Sequence, residues 1–133
     1  IRYKIYHGLS EEEVINYTLP FGFPVRDEDV RAIAAGADLS SVVGRVFPGI
    51  PDLNALLDEP RAGLPKLEIE LKRRLMQQCL AAFTGNPLHI GVPLAFLILS
   101  ELEIEDLTVL IEAKSSQMPE DEFLPYILRQ IPV

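Results

Sequence analysis

The feature that most constrains the fold is the spacing of apolar side chains in the middle of the chain. From 65 to 83 an apolar residue returns at almost every fourth position, as on one face of an α-helix. Gly85 and Pro87 end this pattern, and a second helical segment follows from about 93 to 115. Because short connections join antiparallel neighbours, the two segments predict a long antiparallel helix pair. The apolar positions of the first are Leu64, Leu67, Leu71, Leu75, Cys79 and Phe83.

Shorter helices are predicted on both sides of this pair. Ser10 and Glu13 form the pattern of a capping box, in which each side chain bonds the other's backbone amide, and predict a helix over about 11–18. Sustained alternation of apolar and polar residues, the sign of a strand, is not found. The predicted fold is therefore all-α, a helical repeat or bundle with short capped helices, two long antiparallel helices and a short C-terminal helix. Further helix starts are predicted at Asp27, at Asp38 or Ser40, at Asp52 and at Pro119, with turns at 21–24 and 48–51.

Length and charge restrict the class of protein. With 133 residues, 48% of them hydrophobic, the chain has the size and composition of a single domain with a core. Twenty acidic against twelve basic residues give a net charge of −8, which argues against nucleic acid and anionic lipid as partners, because both need clustered Lys and Arg. The single cysteine, Cys79, excludes a disulfide framework and is predicted to be a buried thiol.

No signal peptide or membrane span is recognisable in the sequence. Arg2 and Lys4 are not followed by the apolar run that a signal peptide needs. The most apolar stretch, 90–99, is shorter than the about 17–25 residues that cross a bilayer, so we interpret it as the start of a buried helix. Because the sequence opens on Ile1, in the middle of what reads as a helix, we expect a fragment of a longer protein.

A short pattern occurs twice, near the two ends of the chain. Residues 1–14 read I-x-x-K, a linker, L-S-E-E-E and an apolar residue, and residues 111–123 read I-x-x-K, a linker, M-P-E-D-E and an apolar residue. Acidic helix starts are common, so coincidence is the alternative. The matching positions of Lys4 and Lys114 favour an internal repeat.

An acidic motif carries a resemblance to a known family. The segment 101–107, E-L-E-I-E-D-L, with Ile111 and Lys114 after it, resembles the E-x-E-[IV]-R-N-L…K motif of the central-stalk subunit of V/A-type ATPases. This subunit is called C in archaea and bacteria and d in eukaryotes. The residues singled out at the motif positions are Glu101, Glu103, Asp106, Leu107 and Lys114.

Two further segments match the same family in the same order. The stretch 86–97, which contains Pro87, is similar to the N-P-L-G-…-A-Y-L stretch that precedes the acidic motif. The opening, through Leu19 to Gly22, looks like the end of the family's second repeat. The resemblance thus implies a three-repeat subunit of which residues 1–133 form one all-helical domain, with 1–20 the tail of the preceding repeat and 21–133 the last repeat.

The resemblance also implies a function. Such a subunit is a non-catalytic rotor part, cytoplasmic and peripheral to the membrane, that couples the axle of subunits D and F to the proteolipid ring during ATP synthesis and hydrogen ion transport. It implies no cofactor, no nucleic acid and no direct membrane insertion. The alternative from another class is a stand-alone helical protein-interaction module, and an enzyme is the third possibility.

One part of the motif departs from the family. Where the family usually has Arg-Asn, this chain has Glu105 and Asp106, and the Arg often found after the following Leu is Thr108. Any ion pairing carried over from the family to these positions is therefore in doubt.

Candidate catalytic and metal-binding groups are few. His7 and His89 are the only histidines and are each expected at a helix end. The acidic residues of 101–106 read as a metal or acid–base cluster at first, but helical spacing spreads them over two faces. The scattered glycines match no phosphate-binding loop. We therefore predict no catalytic, cofactor-binding or metal-binding residue.

The position of Glu101 is unusual. At about 100° per residue it falls within a stripe formed by Leu94, Leu97, Ile104 and Ile111, which is expected to face the core. A carboxylate buried there needs a partner, for which the basic run 72–74 on the preceding helix is the candidate. The alternative is that Glu101 lies at the edge of the stripe and reaches solvent.

Overall fold

The computed structural model describes residues 1–19, 22 and 24–129, and within these the only regular elements are helices. The all-α prediction is confirmed. The helices are α1 (Arg2–His7), α2 (Glu11–Tyr17), α3 (Asp27–Ala34), α4 (Leu39–Val46), α5 (Leu53–Asp58), α6 (Pro60–Ala81), α7 (Gly91–Ser115) and α8 (Glu120–Phe123), followed by a 3-10 helix at Leu124–Tyr126.

The chain forms two compact units, of which the first is Ile1–Leu64 and the second begins at Pro65. The first consists of the short helices α1–α5 and the start of α6, whereas the second contains the rest of α6 with α7 and α8. That the sequence comprises one repeat of a longer subunit stays a prediction. Buried apolar residues of the first unit are Val14, Ala34, Val42, Val43, Ile50 and Leu64, and those of the second are Leu67, Cys79, Ala95, Leu102, Ala113, Ile127 and Leu128.

Local caps start the helices α2 and α4. The Glu13 amide donates to Ser10 Oγ at 3.4 Å and the Ser10 amide donates to Glu13 Oε2 at 2.9 Å, so the predicted capping box is confirmed. Of the two candidates for α4, Asp38 is the cap, because its Oδ2 accepts from the Ser41 amide at 2.9 Å. These bonds satisfy amides that a first helical turn leaves without partners.

Helix α3 starts differently from the prediction. Asp27 is its first residue rather than its cap, and the carboxylate that reaches back is that of Asp29, whose Oδ2 accepts from the Arg26 amide at 2.9 Å. Asp29 is only 1% exposed and also forms an ion pair with Arg45 of α4. A buried carboxylate needs such partners, and Asp29 thereby joins α3 to α4.

The long helix α6 begins at Pro60, five residues before the predicted start. Pro60 has the φ that the first helical position needs, whereas Pro65 lies inside the helix, where it lacks an amide hydrogen to donate. Gly63 is buried against α5, because a Cβ at this position would lie 1.6 Å from the carbonyl oxygen of Leu56. Of the turn predicted at 21–24, residues 21 and 23 lie outside the described residues.

The two copies of the sequence pattern have similar local structures. α1 and α7 each end before a residue with left-handed backbone, Gly8 at φ 59° and Gln117 at φ 52°. An amide then bonds the carbonyl five residues earlier, from Gly8 to Tyr3 in one copy and from Met118 to Ala113 in the other. A short acidic helix follows in both, α2 and α8. Pro119 is the cap of α8 rather than its first residue.

Candidate functional site

The second unit carries a surface and a polar cluster that are candidates for function, and both involve α7. The predicted core stripe of α7 is wrong. The buried residues of α7 are Ala95, Leu102 and Ala113, and they lie on the opposite side of the helix from this stripe. The stripe residues are exposed by 51% to 68% of their surface, namely Leu94, Leu97, Ile104 and Ile111.

The same exposure corrects the interpretation of 90–99 as a buried helix start. Ile90 and Phe96 are exposed by 76% and 61%. The sequence was misleading here because α7 is apolar on nearly all sides, so helical periodicity does not distinguish a face that packs inside the unit from one that does not. An apolar face of this kind is typical of a surface that binds another protein.

Charged side chains join α6 to α7. Lys72 Nζ donates to Glu105 Oε2 at 2.6 Å and lies 3.4 Å from Glu68 Oε1. The hydrogen bond from Lys72 to Glu105 raises the pKa of Lys72 above its ordinary value. Arg73 pairs with Glu70 on its own helix at 2.6 Å. Glu105, which stands where the family usually has Arg, thus has a basic partner within this unit.

Next to this pair, two side chains hold the segment 124–129, which we call the strap. Arg73 Nη2 donates to the carbonyl oxygens of Pro125 at 3.2 Å and Ile127 at 2.9 Å. Asp106 Oδ1 accepts from the Leu128 amide at 2.7 Å, and its Oδ2 accepts from the Arg129 amide at 3.0 Å.

We call Arg73 and Asp106, with their bonds to the strap backbone, the clamp. Side chains of the strap add apolar packing to it. Ile127 and Leu128 are 4% and 1% exposed, and they lie with Leu102 and Met76 along a groove between α6 and α7. Charged groups on both helices therefore bind the backbone of the strap while its apolar side chains fill the groove. The result is a helix pair whose spacing is fixed by a third element.

The motif residues predicted from the sequence do not converge on one site. Asp106 takes part in the clamp, whereas Glu101 and Glu103 are exposed on different sides of α7. The solvent-facing alternative for Glu101 is thus the one that the structure shows, and Lys72 pairs with Glu105 instead. Of the others, Leu107 and Lys114 are exposed on α7, Pro87 lies in the connection between α6 and α7, and Gly22 lies outside the helices.

The described residues contain no group of three or more His, Cys, Asp or Glu side chains arranged to hold a metal ion. Within the same part of the chain, none of the helices has the length and apolarity that crossing a bilayer demands. What this region does offer is an exposed apolar helix face and a helix pair joined by side-chain bonds.

Comparison with protein families decides the assignment. The model of the ATP synthase (C/AC39) subunit family matches residues 1–126, almost the whole chain. The chain belongs to this family. Comparison with curated proteins and with solved structures gives no significant match.

Membership of the C/AC39 family confirms the resemblance drawn from the sequence motifs. How the strap is held was not predicted from the sequence. The two residues that hold it, Arg73 and Asp106, lie 33 residues apart in the sequence. From the sequence, the basic run 72–74 was a candidate partner for Glu101 only, with a solvent-facing Glu101 as the alternative. The signal that was available is the side-by-side order of Lys72 and Arg73 on one helix and of Glu105 and Asp106 on the other.

Proposed function

We propose that the chain is a non-catalytic part of the central stalk of a V/A-type rotary ATPase, where it helps couple the axle of subunits D and F to the membrane proteolipid ring. The observation that carries the proposal is the family match over residues 1–126. The chain would then be the last third of a three-repeat subunit, peripheral to the membrane on its cytoplasmic side.

Two features of the second unit support a mechanical role. The ion pair between Lys72 and Glu105 and the clamp on the strap fasten α6, α7 and the strap to one another. A part that transmits torque needs such cross-links, because helices that slide past each other would absorb the rotation. The acidic surface suits protein partners rather than an anionic membrane.

The experiment is a reconstitution with the other rotor parts of the same enzyme. The chain is mixed with the purified D–F pair and with the detergent-solubilised proteolipid ring, and complexes are identified by native mass spectrometry. We expect a complex that contains the chain and at least one of these partners. Absence of binding to both would overturn the proposal and favour a stand-alone interaction module.

Catalysis is tested on the same sample. We expect no ATP hydrolysis by the chain alone above the buffer rate. Hydrolysis that follows the chain through purification and disappears with a substitution in it would overturn the non-catalytic role.

A further inference from the structure

The exposed face of α7 has the spacing of a coiled-coil seam. Its members are three and four residues apart in alternation, which is the a and d pattern of a heptad repeat. At 1.5 Å per residue the face is about 25 Å long, enough for a partner helix of five turns. We call this face the seam, formed by Leu94, Leu97, Glu101, Ile104, Thr108 and Ile111, all of them exposed.

The seam contains one charge. Glu101 occupies an a position at its centre, between Leu97 and Ile104. A helix that covers the seam takes this carboxylate out of water, which is costly unless the covering helix brings a cation. The seam therefore selects its partner by charge as well as by apolar contact.

A second copy of the chain does not meet this requirement. In a parallel pair, a positions face each other, so Glu101 would lie against its own equivalent. In an antiparallel pair, a positions face d positions, which here are Leu97, Ile104 and Ile111 and offer no cation. Neither arrangement places a cation directly opposite the carboxylate.

The edges of the seam favour the same kind of partner. On one edge lie Glu105, already paired with Lys72, and the exposed Glu112. On the other lie Leu107 and Lys114, both exposed. A covering helix with a cation at its centre and basic residues along the first edge faces both Glu101 and Glu112.

We propose that the seam is the docking site for an amphipathic helix of another protein chain, one that carries an aliphatic stripe interrupted by a single Lys or Arg opposite Glu101. The inference does not depend on the role in a rotary ATPase, because it rests on the seam alone.

Two synthetic helical peptides of 21 residues test the proposal against the full chain. Both have Leu at the a and d positions and differ only at the central a position, which is Lys in one and Glu in the other. Each peptide carries a like charge at its own centre, so pairing of a peptide with itself is disfavoured equally. Fluorescence anisotropy of labelled peptide gives the two dissociation constants. We expect the Lys peptide to bind about tenfold more tightly, because one partly desolvated ion pair distinguishes them.

Charge reversal provides the control. Glu101→Lys should invert the preference, whereas Glu103→Lys, the same charge change outside the seam on an exposed position, should leave it unchanged. Circular dichroism of both variants checks that the helices are retained, and Glu101→Gln, which should abolish the preference, is the milder second variant.

Three results would overturn the proposal. The first is equal binding of both peptides, and the second is a preference that survives Glu101→Lys. The third is sedimentation of the full chain as a dimer that Ile104→Asp turns into a monomer, since the seam would then belong to a second copy.

Discussion

Carboxylates at the helix starts of the first unit accept from backbone amides within a few residues, whereas two neighbouring carboxylates of α7 in the second unit bond to distant elements. Glu13 and Asp38 each accept from an amide three residues away. Glu105 and Asp106 instead bond partners 33 and 22 residues away. Asp29 combines the two, with a local amide and the Arg45 partner of the next helix. The same side-chain chemistry thus starts helices in one region and fixes tertiary structure in the other.

The largest effect is expected at the strap. Leu128→Ala removes a side chain that is 1% exposed and should destabilise the protein by about 2–5 kcal/mol, through lost burial and the cavity that remains. Urea melts followed by circular dichroism measure the change. Leu124→Ala in the same strap, where the side chain is 45% exposed, is the matched control and should cost much less. Equal losses would mean that the groove does not bury the strap in solution.

The next effect tests the clamp. Asp106→Ala leaves the Leu128 and Arg129 amides without their acceptor and should cost about 1–3 kcal/mol. Hydrogen exchange resolved by mass spectrometry should show faster exchange in 124–129 and little change in α2–α4. Glu103→Ala is the control, because this exposed residue lies on the same helix outside the clamp. Unchanged protection of 124–129 would show that apolar packing alone holds the strap.

Acid should weaken the helix starts of the first unit, and alkali should weaken the Lys72 pair of the second unit. Backbone hydrogen bonds lower the pKa of Glu13 from 4.5 and of Asp29 from 3.8, and the bond from the Ser40 side chain lowers that of Asp38 from 3.8. Because these values are depressed in the folded state, the stabilisation is complete above the ordinary pKa values and is lost as the pH falls through the folded ones. The pKa of Lys72 is raised, so its stabilisation is present below pH 10.5 and is lost as the pH rises through the folded value.

Hydrogen exchange against pH, corrected for the intrinsic rate, tests this difference. Protection of α2–α4 should decrease in acid, and the decrease in α3 should be weaker in Asp29→Asn. Contact between α6 and α7 should weaken in alkali, and Lys72→Met should remove that dependence. A chain in which every helix loses protection together at both extremes would contradict the comparison.

The smallest effect is expected at Glu101. In the isolated chain Glu101→Ala and Glu103→Ala should both change the free energy of unfolding by less than about 0.5 kcal/mol, because both side chains are exposed. Parallel urea melts measure the difference. A loss above 2 kcal/mol for Glu101 alone would return it to the core stripe and remove the exposed seam.

The contrast between local and distant bonds also explains what the sequence could predict. The Ser10–Glu13 capping box and the two long helices follow from spacing within a few residues, and all of them are confirmed. The clamp of Arg73 and Asp106 depends on which faces of two helices meet, and spacing along one helix does not contain this information. The face of α7 was assigned wrongly for a related reason, since nearly every side of this helix is apolar and burial depends on its neighbours.

The strap is held by its main chain, and this has a consequence for how its sequence can vary. Arg73 contacts carbonyls, which every residue supplies, and Asp106 contacts amide hydrogens, which every residue except proline supplies. Residues 125, 126 and 129 are therefore free to diverge among related proteins while the strap keeps its place, and proline at 128 or 129 is the one substitution that the clamp does not tolerate. Related chains that differ from this one at residues 125, 126 and 129 are thus expected to hold the strap in the same place.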